Sequence, residues 1–144
     1  MPQYDEVAYS ELASGKVSAT FRADASELVR ARSVAIEFFE GLDCSADQVE
    51  CAALVTSELA SNAVRHAATN FTVTCETLVD PAARRLGRIS VEDGAAEAMP
   101  VLAAADRRAI GGRGLSVISR LGSAWGVELA DSSKTVWCDL SLDP

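Results

Sequence analysis

Ala53-Leu-Val-Thr-Ser-Glu-Leu-Ala-Ser-Asn-Ala-Val-Arg-His-Ala67 is the stretch on which the reading turns. At 3.6 residues per turn, Val55, Leu59 and Ala63 share an apolar side, while Glu58, Asn62 and His66 follow one another at four-residue steps along a polar one. Ser45 caps the start of this helix, with Asp47 in its first turn, and the pattern runs to about Ala67. The plain interpretation makes Ser57, Glu58, Ser61, Asn62, Arg65 and His66 the solvated face of an amphipathic helix. The chemical one gives Asn62 a hard oxygen for magnesium and lets Glu58 take a proton from a group attacking phosphorus.

Upstream, Gly15 to Arg22 alternates with Val17, Ala19 and Phe21 on one side, as a half-buried strand does. Asp24 or Ser26 caps a helix running to Gly41, with Leu28, Val29, Ala31, Val34, Ala35, Phe38 and Phe39 at helical spacing. Residues 1–14 hold no sustained period and read as a loose lead-in to a single domain over residues 15–144. Downstream, Phe71 to Val79 and Ile89 to Glu92 read as paired strands around a hairpin loop from Asp80 to Arg88. Residues 94–111, rich in Ala and Gly, are too long a connection to be idle and are expected to form a mobile lid. Gly114 to Leu121 then reads as a short helix stopped at Gly122, and Ala124 to Leu129 and Thr135 to Leu142 as two more strands. Antiparallel runs with helices sharing one face predict a two-layer α/β sandwich, its sheet mixed but mainly antiparallel.

Composition narrows the function. The net charge of -8 argues against a nucleic-acid surface, and no stretch reaches the ~20 apolar residues of a membrane span. With no basic, apolar leader at Met1 to Glu6, a cytoplasmic protein is expected. Cys44, Cys51, Cys75 and Cys138 lack metal-ligand spacing and read as reduced, mostly buried thiols. His66 is the sole histidine, with no nucleophile placed for a triad.

Two further segments carry chemistry. Asp93 closes a strand, where its carboxylate can accept from an exocyclic amine such as adenine's, although a simple Asp-Gly turn explains it too. Gly111-Gly-Arg-Gly114 opens a helix, where bare backbone amides and the helix dipole favour phosphate. It is no Walker loop, since no Gly-Lys-Ser/Thr follows. A Rossmann turn, with Asp131 as ribose acid, suffers from Val117 at the third glycine and a polar segment before the turn.

Taken in order, Glu58-x-x-x-Asn62 with Ala63 and His66, Val91-x-Asp93, Gly112-x-Gly114-Leu115 and Lys134-Thr-Val-Trp137 resemble the GHKL (Bergerat-fold) ATPase superfamily. In its small size the chain is similar to the bacterial anti-sigma-factor serine/threonine kinases. The resemblance implies Glu58 as general base, Asn62 as magnesium ligand, Asp93 on the adenine amine, and Thr135 supporting adenine through its hydroxyl. The turn Gly112, Arg113, Gly114 and Leu115 would bind the cofactor, its first three residues facing the phosphates. ATP and Mg2+ are the implied cofactors. A sigma factor and an anti-anti-sigma protein are the implied partners, and a homodimer fits the same class. One departure is Asp93-Gly-Ala-Ala-Glu97 in place of Asp-x-Gly-x-Gly. It keeps open an alternative, a regulatory module that sequesters a partner without kinase activity.

Overall fold

The computed structural model describes residues 9–11, 15–67, 69–94, 118 and 120–143, with the backbone alone for the first three. Its elements are β1 (Tyr9–Glu11), β2 (Lys16–Phe21), α1 (Leu28–Glu40), α2 (Ala46–Asn62), β3 (Phe71–Val79), β4 (Arg85–Asp93), β5 (Ala124–Leu129) and β6 (Lys134–Ser141). The strands form one sheet in the order β1-β2-β3-β4-β6-β5.

Every pairing in it is antiparallel, so the parallel component of the expected mixed sheet is not found among the described residues. The reason lies in the connections: two successive helices between β2 and β3 return the chain to the end it left, whereas a parallel crossover needs one. Within the stretch expected as a lead-in, Tyr9–Glu11 pairs with Val17–Ala19 as an edge strand.

Helix α1 buries Ala31, Val34, Ala35 and Phe39, the i, i+3, i+4, i+8 stripe of an amphipathic helix. A short 3-10 turn, Ala25–Glu27, precedes it, capped by Asp24, whose carboxylate accepts the Ser26 N–H at 2.9 Å. Gly41 ends α1 at φ -72, so it supplies no left-handed stop; the chain turns away at Asp43, φ 61. The predicted Ser45 cap of α2 is a full capping box: Ser45 Oγ accepts the Gln48 N–H at 3.1 Å, and Gln48 Oε1 accepts that of Ser45 at 2.7 Å. Beyond Asn62 the helix widens into a π turn over Ala63–Ala67.

Strand β4 begins at Arg85, four residues before the expected start. Asp80 holds the hairpin tight, accepting the backbone N–H groups of Ala82 and Arg84 at 2.9 Å each, and Ala83 takes φ 65. Gly87, read as a loop residue, is a strand residue whose missing side chain admits the Phe39 ring: a Cβ there would lie 2.6 Å from it.

The core lies between the helices and one face of the sheet. Val17, Ala19 and Phe21 of β2, Phe71, Val73 and Cys75 of β3, Ile89 and Val91 of β4, and Val136, Cys138 and Leu140 of β6 point into it. Ile118 packs there as well, and the Gly122 N–H donates to its carbonyl at 2.9 Å, closing the helical turn before β5.

Candidate functional site

At the end of α2, Asn62 is 4% exposed. Its Oδ1 accepts from Arg65 Nη2 at 3.0 Å, while its Nδ2 is buried without a hydrogen-bond partner among the described residues. An orphaned buried amide donor costs roughly 1–3 kcal/mol, so this atom is aimed at an acceptor that a ligand can provide. A carbonyl oxygen has two lone pairs, and the one Arg65 leaves can face a cation. Glu58 lies one turn earlier on the same side, half-exposed and without a hydrogen bond or ion pair among the described residues. A carboxylate so placed can receive a proton.

His66 follows on the π turn, exposed. Partial burial, with the positive charges of Arg65 and Lys134 nearby, holds its pKa below the ordinary value.

Asp93 is the last residue of β4 and is 4% exposed, in phase with core-facing Ile89 and Val91. The turn after it is fixed by Thr69, whose Oγ1 accepts the Gly94 N–H at 2.8 Å. Across the ladder Asp93 pairs with Lys134, and Lys134 Nζ lies 3.5 Å from Asp93 Oδ2, each side chain 3% exposed.

Thr135, expected beside adenine, pairs instead with Glu92. Alternation sends its side chain to the sheet face away from the helices, together with Ser90 and Trp137, so it does not come to Asp93. Sequence reading missed Lys134 in its stead. The available signal was phase: Lys134 alternates with Val136, Cys138 and Leu140, and a lysine on the apolar phase of a strand needs a buried partner. Gly112, Arg113, Gly114 and Leu115 lie outside the described residues, as does the expected lid beyond Gly94.

A cleft of about 730 Å³ opens at the other end of the sheet, lined by Asp43, Cys44, Gln48, Arg85 and Asp143 among others. Glu58, Asn62, Asp93 and Thr135 do not line it.

The sequence of residues 21–138 matches the histidine kinase-like ATPase domain. The chain belongs to that family. The GHKL resemblance carried by Glu58, Asn62 and Asp93 thus names the fold correctly, and ATP is the ligand the family implies. In three dimensions the chain is similar to one from the SiaB-SiaC complex of Pseudomonas aeruginosa, with a TM-score of 0.59 over 85% of this chain and 88% of that one. At 12% identity, that likeness is one of fold. No curated protein is significantly similar in sequence. Among the described residues, no helix is long and apolar enough to cross a membrane.

Proposed function

We propose that this domain is an ATP- and Mg2+-dependent serine/threonine protein kinase of the anti-sigma-factor type, binding a sigma factor and phosphorylating an anti-anti-sigma protein in the cytoplasm. The observation that carries the reading is Asn62: a buried amide with an unpartnered donor, one helical turn beyond a half-exposed carboxylate, in a histidine kinase-like ATPase domain.

Asp93 is the acceptor for the base amine, and Asn62 reaches the cation and the phosphates. Gly112, Arg113, Gly114 and Leu115 supply the phosphate turn, and Glu58 orients the seryl hydroxyl and takes its proton. Magnesium, when bound, neutralises charge on the phosphates. A fold relative solved as a two-protein complex supports a partner-binding role.

The test is calorimetric titration of ATP with and without Mg2+, followed by phosphotransfer to a candidate antagonist. Asp93→Asn weakens binding, Asn62→Ala removes its magnesium dependence, and Glu58→Ala abolishes transfer while sparing binding. Retained transfer in Glu58→Ala refutes the general-base role. A second reading, a partner-sequestering module without kinase activity, draws on the Asp93–Lys134 ion pair and on the glycine displaced to position 94. It predicts partner binding that is indifferent to ATP.

A further inference from the structure

Both side chains that should meet the nucleotide through oxygen already hold a cation of the chain itself: Asp93 the Lys134 ammonium, Asn62 Oδ1 the Arg65 guanidinium. The two contacts differ in reach. Arg65 is exposed and can leave for water, but Lys134 is 2% exposed at the foot of β6 and comes to Asp93 by register. A neutral amine donating to the Asp93 carboxylate competes there with an ammonium that carries the full opposite charge.

The cation is also the easier kind to displace. Of the chain's 13 basic residues only Lys16 and Lys134 are lysines. Arginine would clamp the carboxylate with a planar fork, whereas an ammonium is a compact, strongly hydrated point charge on a flexible stem. At 3.5 Å the contact is longer than a good N–H···O bond, and it satisfies one carboxylate oxygen at most.

We infer that Lys134 sets the nucleotide affinity of this site by occupying Asp93 as an internal counter-ion, which the base must displace. The inference rests on the nucleotide site proposed above. Lys134 is therefore a specificity-determining residue: only a ligand whose base donates strongly, and whose phosphates are held elsewhere, recovers the cost of separating the pair. Weak binding by the free protein follows, with the balance open to a partner that stabilises the displaced lysine.

The experiment uses the full chain and ATP with Mg2+ in two readouts. In calorimetry, Lys134→Thr binds ATP at least tenfold tighter than the natural protein, and adding Asp93→Asn removes the gain. In the natural protein, reductive methylation read by mass spectrometry modifies Lys16, whose side chain is 40% exposed, and spares Lys134 until saturating ATP releases it. The second readout needs no variant, so it decides even if Lys134→Thr fails to fold. Binding by Lys134→Thr that is equal or weaker overturns the inference and leaves the nucleotide site intact, as does a Lys134 that stays protected with ATP bound. No binding by either protein at millimolar ATP overturns the nucleotide site itself, and this inference with it.

Discussion

Two ion pairs join the same two strands, β4 and β6, on opposite faces of the sheet, and they are built differently. On the open face Arg88 forks onto Asp139 at 2.7 and 3.0 Å while its guanidinium lies over the Trp137 ring, 4.1 Å from the centroid. On the helix-covered face Lys134 meets Asp93 at one distance of 3.5 Å, with no second contact to hold the ammonium among the described residues. The fork raises the Arg88 pKa above its ordinary value through the hydrogen bonds that the guanidinium donates to Asp139. The forked pair is partly open to water, with Arg88 27% exposed, and the singly contacted ammonium of Lys134 is sealed. Satisfaction without a gap marks a brace, and a sealed charge with spare donors marks a place where something else can bind.

The contrast can be broken by mutation. Asp93→Ala strands an ammonium at 2% exposure and should lower stability in urea by about 3–5 kcal/mol, most of it recovered when Lys134→Met is added. Recovery of less than half would mean that Asp93 supports the fold through groups other than Lys134. Asp139→Ala should cost less, about 2–3 kcal/mol, because Arg88 can swing into solvent, and it should leave ATP titrations unchanged. An altered ATP affinity there would join the two faces energetically and erase the distinction. Trp137→Leu removes only the stacking beneath Arg88, about 0.5–1 kcal/mol by thermal melting. Thr135→Ala sharpens the comparison at its smallest: placed on the open face, it should change ATP affinity by less than about twofold. A large loss would restore Thr135 to the site and require a shifted β6 register.

Much of the fold was legible. The strand bounds of Phe71–Val79 and Ala124–Leu129 follow from alternation, and the Ser45 start from capping chemistry, because each depends on neighbours in the chain. The misreadings share a different cause. Gly87 reads as a turn residue until the Phe39 ring from another element is placed against it, and Tyr9–Glu11 has no period of its own and becomes a strand only through the edge of β2.

The sequence by itself determined that Glu58 and Asn62 would share a helix side one turn apart and that Asp93 would end a strand, since both are consequences of local periodicity. Only the tertiary structure decided which residue answers Asp93. In a strand a shift of one residue reverses every side chain between the faces, and the choice between Thr135 and Lys134 is settled by the pairing of β4 with β6, which sets Lys134 opposite Asp93.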